Sequence, residues 1–205
     1  HRSDLPDHVR FVGAVTPAPA ENFVAPPWWD ALHCGRPLVH VTQGTIDNAD
    51  LTRLVEPTIT ALADEDVTVV VTTGGRDVRQ IGIPLPANTF AAEFIPHDVL
   101  LPLVDVMVTN GGYGAVQRAL LDGVPLVVAG NTEDKPEVAA RVEWFGVGVN
   151  MRTGTPTPGA VKRAVREVLT TDTYRDSARR LQTAYRRPDG VDEIARLVDE
   201  VIAER

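Results

Sequence analysis

Short apolar runs alternate with amphipathic segments along most of this chain, as is typical of a fold that alternates strands and helices. The first clear run, 38–42, is mostly apolar and rich in β-branched residues, and it lies between Pro37 and Gly44. A continuous apolar run of this length indicates a parallel strand that is covered on both faces. The same criteria predict six strands, at 38–42, 67–72, 89–95, 104–109, 126–129 and 146–150.

The segments between and after these runs carry apolar residues at helical spacing. The predicted helices cover 51–62, 115–121, 136–145, 158–169, 172–185 and 191–203. Asp47, Asn48 or Asp50 can cap the first helix, because short polar side chains accept hydrogen bonds from the N–H groups that open a helix. The last helix has a strong apolar stripe, which either packs on the sheet of this domain or is exposed and meets another partner.

This order of elements predicts an α/β fold with a doubly wound, Rossmann-like parallel sheet. Ligands of such sheets bind beyond the carboxyl ends of the strands, where the strand order reverses. We therefore expect a ligand site to be built from the loops at those ends, which are residues 43–45, 74–75, 96–97, 110–114 and 130–134.

The first 36 residues differ from the rest of the chain. Residues 8–15 alternate like a short strand, and four prolines follow at positions 17, 19, 26 and 27. A proline-rich composition is typical of linkers. We expect residues 1–36 to hold the end of an upstream domain and an interdomain linker, and residues 37–205 to form one domain.

Composition and charge narrow the classes of partner. The 205 residues are 43% hydrophobic, and no apolar run approaches the roughly 20 residues of a membrane span. The net charge of −8 argues against nucleic acid or an anionic membrane as a partner. A phosphorylated ligand is compatible with this charge, since backbone N–H groups and a helix dipole act locally. The single cysteine, Cys34, excludes an internal disulfide and fits a cytoplasmic location.

A glycine-rich turn is the most informative motif. Gly111, Gly112 and Gly114 follow a buried run and precede a helix, so the backbone can turn tightly and approach a ligand. The first N–H groups of a helix lack partners within it, and the helix dipole is positive there, which favours an anion such as phosphate. The alternative is that the turn only connects two elements. Its spacing matches neither the dinucleotide motif GxGxxG nor the P-loop.

The sequence on both sides of this turn adds information. FIPHD at 94–98 precedes it, and EDKP at 133–136 with AARVE at 139–143 follows it. Together, residues 94–148 resemble the donor-binding motif of the nucleotide-sugar-dependent glycosyltransferases of the two-domain GT-B kind. The family includes enzymes that glycosylate antibiotics, macrolides and plant secondary products, and its bacterial members are the most similar. The resemblance extends over about residues 37–204, which correspond to the C-terminal half of such an enzyme.

The resemblance implies a function. The chain would be the donor-binding half of an inverting glycosyltransferase that moves a sugar from UDP or dTDP to a hydroxyl of a small-molecule acceptor. The family needs no cofactor and usually no metal, and this sequence has no DxD-like carboxylate pair at a strand end. In that family the catalytic base and acceptor pocket lie in the N-terminal half. We therefore expect no catalytic residue and no transfer activity in these residues alone. We also expect this half to self-associate, because the surface that faces the other domain would be exposed.

The resemblance also assigns roles to positions of this sequence. The donor phosphates would meet Gly44, Thr45, Asn110, Gly111, Gly112, Tyr113, Gly114 and Ala115. The base would meet Phe94, Ile95 and His97, with the ring of Phe94 stacking on it. Gln117 is the nearest candidate for the ribose, and Asp134 with Lys135 for the hydroxyls of the donor sugar. The alternatives are structural roles without a ligand: Phe94 as a core residue, Thr45 as a turn residue or helix cap, and His97 as the start of a helix.

Three positions depart from the commonest pattern of the family. Asn110 stands where many relatives have a histidine on the diphosphate, so phosphate binding would depend more on backbone N–H groups. Arg118 stands where relatives often have a glutamate on the ribose. Lys135 replaces a glutamine and cannot accept a hydrogen bond. Lys135 then indicates a sugar other than glucose, a contact with phosphate, or only a solvated lysine at a helix start.

Other functions are compatible with parts of this pattern. A non-catalytic nucleotide-binding module would bind the same ligand. A nucleotide-sugar epimerase shares the GT-B architecture but needs carboxylates and a histidine facing the sugar, for which only Asp134 and His97 are candidates. Two further functions are disfavoured. A nicotinamide dehydrogenase would need GxGxxG at the first turn, where this chain has QGTIDN, and a hydrolase of the α/β kind would need a GxSxG elbow, which this sequence lacks.

Overall fold

Six parallel strands form one sheet in the computed structural model, which describes residues 4–6, 8–15, 18–185 and 190–203. The strands are β1 (Leu38–Thr42), β2 (Thr68–Thr72), β3 (Thr89–Ala92), β4 (Val106–Thr109), β5 (Leu126–Val128) and β6 (Gly148–Asn150). Their order across the sheet is β3-β2-β1-β4-β5-β6, and each neighbouring pair is parallel. The chain therefore winds outward in both directions from the β1–β4 pair, which confirms the predicted doubly wound α/β sheet.

Helices cover both faces of this sheet. They are α1 (Val55–Leu62), α2 (His97–Leu100), α3 (Tyr113–Leu121), α4 (Lys135–Trp144), α5 (Pro158–Thr170), α6 (Asp172–Tyr185) and α7 (Gly190–Ala203). Short 3-10 turns lie at Trp29–His33, Leu51–Arg53, Val78–Gln80 and Leu101–Leu103. Side chains alternate across the strands, so Val39 and Val41 join the core under α1 and α5, whereas Leu38 and Val70 join the core under α3, α4 and α6.

The predicted elements agree with the structure within a few residues at most ends. The third strand stops at Ala92 rather than at residue 95, because its partner strand ends where Thr72 pairs with Ala92. The first helix is divided: a 3-10 turn ends at Arg53, and α1 begins after Leu54, whose φ is −142°. Asp50 is the residue that caps this turn, since its carboxylate accepts a hydrogen bond from the N–H of Thr52 at 3.0 Å.

The prediction of a strand at residues 8–15 is wrong. A strand needs a neighbour that satisfies its backbone groups, and this segment lies outside the six-stranded sheet. Instead, the carbonyl of Ala14 accepts a hydrogen bond from the N–H of Gly190 at the start of α7. Further along, residues predicted as linker pack on the domain: Trp28 stacks on Phe90 of β3 with ring centroids 5.2 Å apart.

The apolar stripe of α7 is exposed rather than packed on the sheet. Ile194, Val198, Val201 and Ile202 have between 42% and 65% of their surface accessible to solvent. The alternative that this helix covers the domain's own core is therefore wrong. No helix among the described residues combines the length and the apolar character needed to cross a bilayer.

One residue of the central strand has a titratable side chain. His40 of β1 is fully buried, and its Nδ1 lies 3.1 Å from the carbonyl oxygen of Val70. Its Nε2 is buried and has no hydrogen-bond partner among the described residues. The ring of His97 packs edge-on against it, with centroids 5.7 Å apart. Burial, with a smaller contribution from His97, lowers the pKa of His40 to about 3.

We expect His40→Leu to make the domain less sensitive to acid. The pKa of His40 in the folded state is about 3, well below its ordinary value of 6.5, so the unfolded chain binds a proton first as the pH falls. Through His40 alone, the free energy of unfolding decreases by about 1.4 kcal/mol per pH unit below 6.5. Urea unfolding from neutral pH to about pH 4.5 should show a shallower slope for His40→Leu, by that amount.

The exposed His33 supplies the control for this experiment. His33→Gln should retain the pH dependence of the parent. Identical slopes in His40→Leu and the parent would mean that the buried imidazole does not set the acid response.

Candidate functional site

Three loops meet at the carboxyl ends of β1, β4 and β5. Because β1 and β4 are paired in parallel, from Val39 with Val106 to Thr42 with Thr109, the loops that follow them leave the same edge of the sheet. They enclose a cleft of about 360 Å³. The cleft lies at the point where the strand order reverses, which is the position predicted for a ligand.

The loop after β1 is fixed by two amide side chains. The Oε1 of Gln43 accepts hydrogen bonds from the N–H groups of Leu54 and Val55, both at 3.2 Å, and so joins the loop to the start of α1. Asn48 donates to the carbonyls of Gly44 at 2.9 Å and Thr73 at 2.8 Å, which ties the loop to the end of β2. Residues 45–46, between these anchors, are exposed to the cleft.

The loop after β4 contains Asn110 and the glycines. The Nδ2 of Asn110 donates to the carbonyls of Gln43 at 2.6 Å and Asp47 at 3.4 Å, and its Oδ1 accepts from the N–H of Gly112. Both amide protons of Asn110 are thus directed to the neighbouring loop. Gly111 has a φ of +84°, and a Cβ there would lie 2.6 Å from Cγ1 of Val128, so this position requires glycine.

The other two glycines of the turn have different surroundings. Gly112 precedes α3 with a φ of −56°, and Gly114 lies inside the first turn of that helix. A Cβ on Gly114 would meet no atom within 4 Å, which means that this point faces open space. The N–H groups of Tyr113 and Gly114 have no acceptor among the residues that the structure describes. Two unpaired donors and the positive end of the helix dipole therefore face the cleft.

The loop after β5 brings carboxylates and one cation. Glu133 adopts a φ of +55°, which is uncommon for a residue with a side chain. Asp134 precedes α4, and its carboxylate makes no capping bond to that helix. Lys135 opens α4 but its side chain is only 4% exposed. The prediction of a solvated lysine at this helix start is therefore wrong.

Lys135 is bound to the other loops through Asp47. The Nζ of Lys135 lies 3.2 Å from Oδ2 of Asp47, which also accepts from Thr132 at 2.9 Å, and Oδ1 of Asp47 pairs with Arg53 at 2.9 Å. Burial alone would raise the pKa of Asp47, but the hydrogen bonds from Thr132 and Lys135 outweigh it and lower this pKa. Burial would lower the pKa of Lys135, but the carboxylates of Glu133 and Asp47 raise it.

Most of the residues named from the sequence for the phosphates and the sugar line this cleft. They are Gly44, Thr45, Asn110, Gly112, Tyr113, Gly114, Ala115, Asp134 and Lys135. Gly111 lies behind them and supplies the turn. Among the described residues, no three histidine, cysteine or acidic side chains are grouped as a metal would require.

The segment named for the base lies outside the lining of the cleft. The side chain of Phe94 points to solvent, with the residue 64% exposed, whereas Ile95 is buried in the core. His97 begins α2, and its ring packs against His40. Burial lowers the pKa of His97, with the nearby cation of Arg118 acting in the same direction.

Gln117 lies one helical turn beyond the cleft, in a neighbouring hollow of about 290 Å³ between α3, α4 and α6. Tyr113 and Asp134 border both the cleft and this hollow, so the two spaces are adjacent. Arg118 points elsewhere and pairs with Asp98 at 3.7 Å.

Four residues of the cleft have no individual role in the sequence prediction, namely Gln43, Ile46, Asp47 and Glu133, although Gln43 and Glu133 lie in two of the loops that were expected to build the site. Asp47 was considered only as a helix cap. The sequence places Asp47 in the loop after one predicted strand and Lys135 at the end of the loop after another. This placement was the indication in the sequence that the two side chains could meet. Nothing in the sequence indicated the left-handed backbone of Glu133.

Comparison with known proteins gives consistent results. The family model for the erythromycin biosynthesis protein CIII-like C-terminal domain matches residues 56–201. The chain is similar to 4'-demethylrebeccamycin synthase of Lentzea aerocolonigenes, at 50% identity over 202 residues, which are 98% of this chain and 47% of that protein. It is also similar to UDP-glycosyltransferase 2 of Phaeomoniella chlamydospora, at 39% identity over an alignment of 208 positions that covers 98% of this chain and 46% of that protein.

The solved structures agree with the sequence relatives. The glycosyltransferase VinC, in complex with dTDP, has a TM-score of 0.71 at 29% identity, and the match covers 86% of this chain and 44% of VinC. The chain spans about half the length of the curated relatives it matches. With its Rossmann-like sheet and the extent of the family match, this chain belongs to the EryCIII-like family of C-terminal domains of GT-B glycosyltransferases.

Proposed function

We propose that this domain binds the donor of a glycosyl transfer, a sugar attached to UDP or dTDP. The observation that carries the proposal is the cleft at the strand-order reversal, where α3 and α4 both begin and the N–H groups of Tyr113 and Gly114 meet no acceptor from the described parts of the chain. Relatives support both nucleotides, since one is named a UDP-glycosyltransferase and the structure of another contains dTDP. The donor sugar itself is left open.

In this proposal the main chain binds the diphosphate. The N–H groups of Tyr113 and Gly114 and the exposed loop at Thr45 offer hydrogen bonds on opposite sides of the cleft. Asn110 acts indirectly in this proposal. It donates hydrogen bonds to carbonyls of the loop after β1 and does not itself contact the diphosphate. Donors and dipoles fixed in advance stabilise charge on a leaving diphosphate without a metal ion.

The remaining parts of the donor would extend along the same edge of the sheet. Phe94 offers an exposed aromatic face for the base. The backbone N–H groups of Ile95 and His97 would read the edge of the base, since Pro96 has no N–H and its carbonyl already accepts from Val99 and Leu100. Gln117 stays our candidate for the ribose. The carboxylate of Asp134 can accept hydrogen bonds from sugar hydroxyls, which suits a residue without a capping bond.

We place the transfer itself at the boundary with a second, N-terminal domain. A hydroxyl oxygen of a small-molecule acceptor would attack the anomeric carbon, the bond from that carbon to the diphosphate oxygen would break, and a base of the other domain would take the hydroxyl proton. This attack inverts the anomeric centre.

We also place the protein in the cytoplasm, because a single, free cysteine fits a reducing compartment.

Two other functions compete with this proposal. A nucleotide-binding module without transfer activity would use the same cleft, and only a transfer assay with an upstream domain present separates the two. An epimerase is less well supported, because its histidine would have to face the sugar. His97 lies outside the lining of the cleft and packs on His40.

We expect the domain to bind UDP or dTDP with micromolar to millimolar affinity, in the presence of EDTA as well as without it. The affinity should be modest because no second domain closes over the ligand. Isothermal titration calorimetry and thermal shift at millimolar nucleotide measure this. No heat and no shift with either nucleotide would refute the proposal.

Gly114→Val tests the position of the diphosphate. The new methyl groups would stand beside the free N–H groups and keep the ligand away, so we expect at least a tenfold loss of affinity, or about 1.4 kcal/mol. The fold should tolerate the change, since a Cβ at Gly114 meets nothing within 4 Å and its φ is not positive. Melting temperature and nucleotide affinity are measured on the same sample.

Gly159→Val is the matched control for this variant, because Gly159 is also the second residue of a helix and is exposed, but lies outside the cleft. It should bind nucleotide like the parent. A folded Gly114→Val variant with the affinity of the parent would mean that the diphosphate lies elsewhere.

The exposed stripe of α7 leads us to propose self-association of this domain. Light scattering over a range of concentrations should show a mass above 22.2 kDa for the parent. Val198→Asp, in the middle of the stripe, should shift the domain toward the monomer without lowering its melting temperature, because the side chain is 51% exposed. A parent that stays monomeric at high concentration would refute this.

A further inference from the structure

The loop after β1 is held from two sides by residues that depart from the commonest family pattern. On one side, Asn110 donates to the carbonyls of Gln43 and Asp47. On the other, the Nζ of Lys135 lies 3.2 Å from the carboxylate of Asp47. Asp47 is therefore the point at which the loops after β1, β4 and β5 are joined.

Lys135 has no donor left for a ligand. An ammonium group has three N–H bonds. Three acceptors surround the Nζ: Oγ1 of Thr132 at 3.0 Å, Oδ2 of Asp47 at 3.2 Å and Oε2 of Glu133. The side chain is 4% exposed. A phosphate or a sugar hydroxyl could reach this nitrogen only after one of these bonds had broken.

The same contacts hold an uncommon backbone in place. The φ of +55° at Glu133 is disfavoured for a residue with a Cβ and persists only where the surroundings impose it. The ion pair between Glu133 and Lys135 is a side-chain contact that spans this backbone. Since Asp134 follows directly, its free carboxylate at the border of the cleft depends on this local conformation.

We infer that Lys135 is a positioning residue: it binds no part of the donor but, through Asp47 and Glu133, sets the distance between the loop that faces the phosphates and the loop that faces the sugar. This inference rests on the proposed function. It replaces the expectation, drawn from the family pattern, that the residue at this position contacts the donor. It also assigns one role to the two departures, because Asn110 and Lys135 hold the same loop.

A double-mutant cycle on Lys135→Met and Asp47→Asn tests the inference, with UDP and dTDP as probes. If Lys135 acts through Asp47, each single variant weakens nucleotide binding at least fivefold, and the double variant is no worse than the poorer single one. If Lys135 contacts the nucleotide directly, Asp47→Asn frees its ammonium group. Binding then stays equal or becomes tighter in Asp47→Asn, and Lys135→Met remains weak in both backgrounds, which would overturn the inference.

A merely structural role is separated by the measurements themselves. It would lower the melting temperature of Lys135→Met but leave the affinity of the folded fraction unchanged, and that result would also overturn the inference. Amide hydrogen exchange without ligand supplies a second readout, since residues 43–48 should exchange faster in Lys135→Met. If Lys135→Met does not fold, Asp47→Asn alone decides, because positioning predicts a loss of affinity and direct contact does not.

Lys162→Met is the matched control. Lys162 is the other lysine of the chain, and it pairs with Glu65 at 2.8 Å, outside the lining of the cleft. It should bind nucleotide like the parent. A parent that binds neither nucleotide would refute the proposed function and this inference with it, whereas a parent that binds alongside unaffected Lys135 and Asp47 variants would refute the inference only.

Discussion

The parallel pairing of β1 with β4 is the constraint on which the candidate site depends. Strands β2 and β3 extend the sheet on one side of this pair, and β5 and β6 extend it on the other. The two central strands therefore send their following loops in opposite directions, and a crevice opens between them. The third loop is pressed against the second, since a Cβ on Gly130 would lie 1.9 Å from the carbonyl oxygen of Asn110. The topology of the sheet thus brings the three loops together, whatever their side chains are.

The site combines an acidic surrounding with groups suited to an anion. The chain has a net charge of −8, and Asp47, Glu133 and Asp134 all border the cleft. The buried ammonium group of Lys135 neutralises part of this charge through its pairs with Asp47 and Glu133. The N-termini of α3 and α4 add positive potential. A buried ion pair contributes little to stability, because the desolvation of two charges offsets their attraction. The value of the Lys135 contacts is therefore better sought in geometry than in stability.

The sequence was sufficient for the order of elements and for the loops that meet. Apolar runs such as 38–42 and 126–129, separated by segments of helical periodicity, are compatible with only a few sheet arrangements, and the doubly wound sheet is one of them. The glycine turn indicated one of the loops that line the cleft. Side-chain pairing was not accessible in the same way. Asp47 and Lys135 are far apart along the chain, and their contact depends on the distance between two loops, which no local pattern specifies.

The errors follow the same division. Residues 8–15 alternate like a strand, but alternation does not show whether a neighbouring strand is available to pair with them. His40 lies within a mostly apolar run and is buried, and its Nε2 has no hydrogen-bond partner within the described ranges, which the residues around it do not foretell. Gly111 and Gly114 look alike in the sequence. Only the structure distinguishes the one that needs a positive φ from the one that leaves helical N–H groups uncovered.

The uncovered N–H groups of α3 have a consequence for how such domains diversify. Every residue except proline carries this donor, so the groups that face the cleft at residues 113 and 114 do not depend on which side chains stand there, provided that the side chains stay small or turn away. If the cleft binds an anion as proposed, neighbouring positions on the adjacent loops can change in evolution without loss of these main-chain contacts. Asn110 and Lys135 can then differ from the residues at the same positions of relatives while the proposed anion-binding surface stays the same.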